Sequence, residues 1–523
     1  MLRFIVPIFL SLALHAWSAP IAPSNLTAAV TGVNTISLNW QDNSSDEVRF
    51  LIGGKIPPML NHTVIGIFPA GAVSGIINVD PSSNYQLVVV AVDAANVQSA
   101  FSNVVTVTTP DLLPIPANVP PAVTGTPPTA QTGSAGAPSL VIPIASVFSD
   151  PGVATAARLV TDLGNIDFVF FSGDAPLTVV NFLKYLNRQD FANSFFHRSI
   201  TGFVIQGGSF RADAAGSKIP TDPPVVNEPK LTNTRGTVSM AKQGGNPNSA
   251  TSGFFISLAD NSGNLDAQNG GFTVFARVAG AGMAVVDAIA ALPIQNYSSI
   301  NIAFAETPYR TPPATPFNPT NLARVFSTAL IAPLSLNASS SNLAVASASV
   351  SGENLTLQPI SPGVSTITLA ATDLDGATAT TSFSYTVTPD TFETWVARQS
   401  FATPQDGTAQ ADPDQDGRNN LIEFALASPP LASSGADLLA SITNNRLTFE
   451  FPLRRHTSGI RVTLESAELL DGPWTARWTP QDGFPHPWIS GIVGSGNFQT
   501  ITAKNPEVVN LPRQFLRLKV TKP

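Results

Sequence analysis

The chain runs to 523 residues without one cysteine, which excludes disulfide bonds and a lipid-modified N-terminal thiol. Charge is scarce as well: Asp, Glu, Lys and Arg make up 12%, the formal net charge is −8, and no Lys/Arg-rich run exists. A partner held by its phosphate backbone is therefore not expected, and no nucleic acid is indicated. The five histidines are scattered, so no zinc site is supported. Beyond residue 14 no segment is long and apolar enough to cross a bilayer.

What the chain has instead is 45 prolines and 37 glycines, which bound short segments rich in Val, Thr, Ile and Phe. That pattern reads as β-modules strung on linkers. A chain of this length is expected to hold roughly three to five domains, so the fold class is mainly β and multidomain. At the N-terminus, Arg3, the apolar run 4–14 and the small residues Ala16 and Ser18 read as a secretory signal over residues 1–18. The run is shorter than the roughly 20 residues a spanning helix needs. The mature protein is thus expected to be exported (periplasmic, on the cell surface or secreted) with no membrane span.

Residues 19–110 alternate in period two, with Ile36, Leu38 and Trp40 on one face and Tyr85, Leu87 and Val89 on another. A Trp in an early strand and a Tyr opening a late one are sandwich-core positions, and the segment resembles a fibronectin type III domain. Residues 111–155 read as a Pro/Ala/Thr-rich linker ending in a strand and turn over 140–148. A central domain follows over 156–296. Within it Pro176 opens a helix with Val179, Phe182, Leu183 and Leu186 on one face, and Met283, Val286, Ile289 and Leu292 mark a second helix. Residues 297–333 read as a linker.

Residues 334–389 hold short strands and resemble the cadherin-like and immunoglobulin-like modules of bacterial surface proteins. They are few for a whole sandwich. Either 140–148 supplies a missing first strand, with the central domain inserted at a turn, or two domains stand in series. Residues 390–428 read as a helix-loop-helix, and 440–523 as a C-terminal β module around Trp474, Trp478 and Trp488.

The central domain carries the chemistry. Ser194-Phe-Phe196-His197-Arg198 is followed by Gly202-Phe203-Val204-Ile-Gln206-Gly207-Gly208. Then come Arg235-Gly-Thr-Val-Ser-Met240-Ala241-Lys242, Asn248-Ser-Ala-Thr-Ser-Gly253-Phe254-Phe255-Ile256 and Asn264-Leu265-Asp266. In this order these motifs resemble the cyclophilin family of peptidyl-prolyl cis/trans isomerases, its bacterial branch most of all. The resemblance implies a closed β-barrel with two helices, proline-containing polypeptide substrates and no cofactor for isomerisation. It implies that Arg198 is the catalytic arginine and that Gln206 orients it and contacts substrate backbone. Phe203, Val204, Phe255, Leu265 and Phe272 match the positions that hold the proline ring, and Ala241 and Lys242 the segment whose main chain pairs with the peptide. His197 is expected to be buried and hydrogen-bonded. Departures from the family pattern are Val204 for Met, Lys242 for Asn, Gly253 for Gln, Phe272 for His and Asn264 for the tryptophan that binds cyclosporin.

Asp412, Asp414, Asp416, Gly417 and Glu423 fit D-x-D-x-D-G-x5-E, the EF-hand spacing, with Arg418 offering its backbone carbonyl. Alternate carboxylates face one centre, and a structural Ca2+ is expected there. Asn419 stands where an aliphatic residue is usual. Two readings of the whole chain compete: an exported isomerase that folds other exported proteins, and a non-catalytic proline-peptide-binding or adhesive surface protein. The β modules on either side leave room for a cell-surface or polysaccharide partner.

Overall fold

A computed structural model describes residues 19–310, 317–433, 438–444, 446–494, 497–506 and 514–523; residues 1–18, where a secretory signal is expected, lie outside the described residues. The chain divides into two compact units. The first comprises residues up to Val119, Gly152–Pro333 and Leu374–Gly376; the second comprises Pro120–Pro151, Leu334–Asp373 and Ala377–Pro523.

The first unit begins with a sandwich of seven strands: β1 (Ser24–Gly32), β2 (Thr35–Gln41), β3 (Glu47–Lys55), β4 (Thr63–Pro69), β5 (Ser74–Asn78), β6 (Asn84–Asp93) and β7 (Val105–Thr108). One sheet has the order β1-β2-β5 and the other β4-β3-β6-β7. The alternating residues Ile36, Leu38, Trp40, Tyr85, Leu87 and Val89 are all buried in one core between them. The period-two reading misses one feature. Val88, Val90 and Val92 on the opposite face of β6 are buried too, because Ser99 and Ser102 lie along that strand and accept the N–H groups of Ala91 and Val89 at 2.9 Å.

The central domain is built on a nine-stranded antiparallel sheet. Its strands are β8 (Ala156–Thr161), β9 (Gly164–Phe170), β10 (Ser194–Phe195), β11 (Arg198–Ile200), β12 (Val204–Gly207), β13 (Thr237–Met240), β14 (Phe254–Ser257), β15 (Val274–Ala279) and β16 (Arg324–Ile331). The order is β10-β16-β8-β9-β15-β13-β14-β12-β11. The two outermost strands are consecutive in the chain, parted only by Phe196 and His197, so the sheet must curl round on itself. Phe168, Phe170, Phe182, Phe254 and Phe275 fill the inside. Helix α1 (Pro176–Asn187) starts at the proline and buries Val179, Phe182 and Leu186. It has no side-chain cap of its own; the Glu228 carboxylate accepts the N–H groups of Leu177 and Thr178 instead, a charged cap at the positive end of the helix. Helices α2 (Ser262–Leu265) and α3 (Gly282–Ala290) follow.

Residues 297–333 are not a linker. Strand β16 pairs with β8 and β10, and Tyr297, Phe304, Tyr309 and Leu322 build a second small core with Phe195 and Phe210. Irregularly spaced aromatics carry this packing, so no period marks it in the sequence. The supposed linker 111–155 is also partly tied down: Leu113 exchanges backbone hydrogen bonds with Lys230 and Thr232 at 2.8 Å.

In the second unit, Leu140–Pro143 pairs with Asn354–Pro359, and Gln131–Ser134 runs parallel to Thr378–Thr388. Strands from before and after the central domain therefore share one core, in which Ile144, Val147 and Phe148 meet Leu355, Leu357, Ile367 and Leu369. The C-terminal segment adds two sheets around Phe451, Leu464, Trp478 and Ile501. Two short helices, Phe392–Val396 and Asn420–Leu426, pack through Phe392, Trp395, Leu421 and Phe424.

Candidate active site

Val204, Phe255 and Leu265 form a small apolar cluster separate from the barrel core, with Phe203, Ala241 and Phe272 packed against it. These six residues come from β12, β14, α2 and the segments joining the strands. The ladder brings them together: Gln206 lies opposite Phe255 on one side and opposite Arg198 on the other. The Phe255 and Phe272 rings meet edge to face, 5.7 Å between centroids. This apolar cluster, on the ladder rungs next to Gln206 and Arg198, is where the hollow expected for a proline ring would lie.

A buried polar scaffold holds the hollow's walls. The Asn233 side chain donates to Asp266 Oδ1 at 2.8 Å and to the Phe272 carbonyl at 3.1 Å, and its own oxygen accepts from Ser239 Oγ at 2.7 Å. Asn261 Nδ2 donates to the Phe203 carbonyl at 2.9 Å. Hydrogen bonds to a carboxylate in a dry setting are among the stronger ones, so Leu265 and Phe272 are held in register by one network. Asn233 and Asn261 gave no sequence signal, since an isolated Asn is indistinguishable from a turn residue. Gly208 is required by geometry: its φ is +75°, and a Cβ there would sit 2.6 Å from the Phe254 ring and 2.8 Å from the Ser252 carbonyl.

Arg198 is held by a residue that sequence reasoning missed. Its Nε donates to Glu306 Oε2 at 2.9 Å. Glu306 lies in the segment read as linker, which explains the omission. Gln206 sits beside the arginine in the ladder, but the anchoring carboxylate is that of Glu306. His197 is buried as expected, ringed by Phe195, Phe210 and Phe304, and burial pushes its imidazole down to about 3. Among the described residues its Nδ1 has no hydrogen-bond partner, and the neutral ring serves as a packing element. Ala241 spends its N–H on the Gly253 carbonyl at 2.9 Å, so that donor is not open to a peptide. Lys242 lies over the Phe272 ring, 4.4 Å from Nζ to the centroid, and donates to the carbonyls of Asn269 and Gly271. At Gly253 a Cβ would fall 2.6 Å from Ser209 Oγ, so the serine hydroxyl occupies the space of the missing side chain. Asn264 sits on α2 beside Leu265.

The acidic loop draws its three aspartates together. Asp412, Asp414 and Asp416 bring carboxylate oxygens within 4.8 Å of one another. Gly417 takes φ +91°, and its N–H reaches Asp412 Oδ2 at 3.0 Å. The Arg418 N–H bonds Asp416 Oδ1 at 2.9 Å. Glu423 is fully buried on the following helix, and among the described residues neither carboxylate oxygen has a partner. Burial, then repulsion from the three aspartates, pushes its carboxyl up to about 8. Asn419 departs from the EF-hand pattern for a local reason: it caps that helix, accepting from the Ile422 N–H. The other departure is the incoming helix, which stops at Val396, well short of Asp412.

The central domain matches the family model described as cyclophilin type peptidyl-prolyl cis-trans isomerase/CLD over residues 156–307. A peptidyl-prolyl cis-trans isomerase of Acinetobacter baylyi is 40% identical over 146 residues, 27% of this chain and 76% of that protein. Peptidyl-prolyl cis-trans isomerase A of Dickeya dadantii is 38% identical over 166 residues, 31% of this chain and 80% of the relative. For peptidyl-prolyl cis-trans isomerase B of Escherichia coli the figures are 43% over 135 residues, 25% and 80%. Through this domain the chain belongs to the cyclophilin-type peptidyl-prolyl cis-trans isomerases. The modules on either side lie outside the match.

Proposed function

We propose that this is an exported prolyl isomerase that speeds rotation about Xaa-Pro bonds in proteins outside the cytoplasm. The observation that carries the catalytic part is the separate apolar cluster of Val204, Phe255, Leu265, Phe203 and Phe272 beside Arg198 and Gln206. Export rests on the apolar run 4–14 followed by small residues. Among the described residues no helix is long and apolar enough to cross a membrane.

Amide resonance sets a barrier of roughly 18–20 kcal/mol, so the catalyst must favour the twisted bond over both planar forms. The apolar hollow grips the proline ring and leaves the preceding residue free to turn. Twisting localises a lone pair on the prolyl nitrogen. With Nε tied to Glu306, the terminal amino groups of Arg198 are the donors aimed at that nitrogen and its neighbouring carbonyl. Gln206 and the backbone around Lys242 hold the flanking residues extended. No group is transferred, and none of these residues has to change its protonation state.

Asp412, Asp414, Asp416 and Glu423, with the Arg418 carbonyl, would hold a structural Ca2+, since three converging carboxylates and a buried orphan fourth suit a hard divalent cation. The flanking sandwiches, read as fibronectin III-type and immunoglobulin-like modules, would bring the enzyme to a cell-surface or polysaccharide partner. The test is a protease-coupled assay of the whole chain on short Xaa-Pro peptides. Cis-to-trans conversion above the uncatalysed rate is expected; binding without acceleration would favour the adhesive reading.

A further inference from the structure

Inside the first unit, the N-terminal sandwich reaches the isomerase through the loop that also walls the proline hollow. Phe272 ends this loop, and Lys242 holds its Asn269 and Gly271 carbonyls from the hollow's side. From the other side Asp80 Oδ1 accepts the Gly270 N–H at 2.7 Å, and Asn34 Nδ2 donates to the Gly270 carbonyl at 3.5 Å. Asp80 is itself positioned, its N–H donating to the Tyr85 hydroxyl at 2.9 Å. One short loop is therefore clamped between the substrate hollow and the module.

Beyond the clamp lies an open cleft of ≈ 680 Å³. On the isomerase side it is lined by Gly245, Pro247, Asn269 and Gly270, and on the module side by β4 and β5. Val64, Ile67 and Ile76 line it with 55%, 65% and 65% of their surface exposed, and Asp80 is the only charged residue in its wall. Both strands are sheet edges: β4 pairs only with β3, and β5 only with β2. An apolar, uncharged sheet edge is a template for an added strand, and proteins that do not use such an edge usually blunt it.

We propose that this seam is a second binding site for the client polypeptide. An extended apolar segment next to the target proline would add to the β4/β5 edge and pass over residues 269–270 into the hollow. The occupant follows from continuity: the cleft and the hollow share the 269–272 loop, and what the hollow takes is already an extended chain. The proposal rests on the isomerase reading of the hollow and gives the N-terminal module a role in client selection.

The test compares the full chain with its Ile67→Asp/Ile76→Asp double variant; both side chains point to solvent, and Ile67→Ser/Ile76→Ser guards against misfolding. Three probes are used: a short Ala-Pro peptide, and two longer ones with the same centre and either Ile/Val-rich or Gly/Ser-rich flanks. The wild type should show a KM roughly tenfold lower for the apolar-flanked peptide at similar kcat, the scale of burying one or two aliphatic side chains. The double variant should erase that preference and leave the short-peptide rate unchanged. Absence of any preference in the wild type, or equal loss on all three peptides, overturns the seam. So does a wild-type dimer in sedimentation that the double variant dissolves with the preference intact, which would make a second copy the occupant. Fluorescence anisotropy with Ala in place of Pro reads the seam without turnover. A preference retained there, with no turnover on any peptide, would keep the seam and remove the catalytic reading.

Discussion

In the isomerase domain, Val204, Phe255 and Leu265 close on one another, and a satisfied network of Asn233, Asp266 and Ser239 fixes the walls around them. In the 412–423 loop three carboxylates are drawn together, and Glu423 is buried beside them with neither oxygen partnered. The apolar cluster carries no unmet polar demand. The loop does: its folded geometry holds like charges together around a buried carboxyl, a repulsion that a divalent cation would remove. An apolar site can be preformed at no electrostatic cost, whereas an acidic site is preformed only by holding like charges together. Substitutions in the two regions should therefore have opposite signs.

The largest expected effect is in the hollow. Phe255→Ala should cost about 3 kcal/mol of stability, the usual scale for emptying a buried aromatic position, and abolish turnover; chemical denaturation and the peptide assay check both. Arg198→Ala should act on rate alone. Its side chain is about one-third exposed (36%), so the fold should persist while kcat/KM falls at least tenfold through loss of a transition-state donor.

In the loop the signs reverse. Without calcium, Glu423→Gln should raise the unfolding free energy by about 1 kcal/mol, because an amide escapes the repulsion of the three aspartates and can donate to them. Calcium at millimolar concentration should stabilise the wild type by mass action and leave this variant unmoved. Loss of stability in calcium-free Glu423→Gln would erase the contrast between the two regions.

A pH effect concerns Lys242, whose ammonium burial pushes down to about 8 from its ordinary 10.5 against the opposing pull of Asp80. Below about 8 the lysine is charged in both folded and unfolded chains, and the cost of burying that charge is fully present. Between about 8 and 10.5 only the unfolded chain keeps the proton, so stability should rise with pH over this window. Denaturant midpoints of Lys242→Met should lack that rise.

Much of this was legible in the residues. The motifs from Phe196 to Leu265 predicted which apolar side chains would meet, because the ladder converts their spacing directly into proximity. The sandwich core at Trp40 and Tyr85 was legible for the same reason, period two being a local property. Glu306 was not. It reaches Arg198 from 108 positions away through aromatic packing with no period. Asn233 and Asp80 were equally silent, since a single polar residue announces its partner only once the chain has folded. In the second unit the strand at Leu140–Pro143 was visible as a strand, but its partner at Asn354–Pro359 lies across the whole central domain.

Turning the prolyl bond, beyond binding it, is the work proposed for the hollow and Arg198. The most direct measurement is two-dimensional NMR exchange spectroscopy on an Ala-Pro peptide with a small fraction of the full chain. Exchange cross-peaks between cis and trans signals should appear with wild type and weaken at least tenfold with Arg198→Ala at matched peptide occupancy. Peptide shifts that report binding, with no exchange cross-peaks at any wild-type concentration, would contradict it.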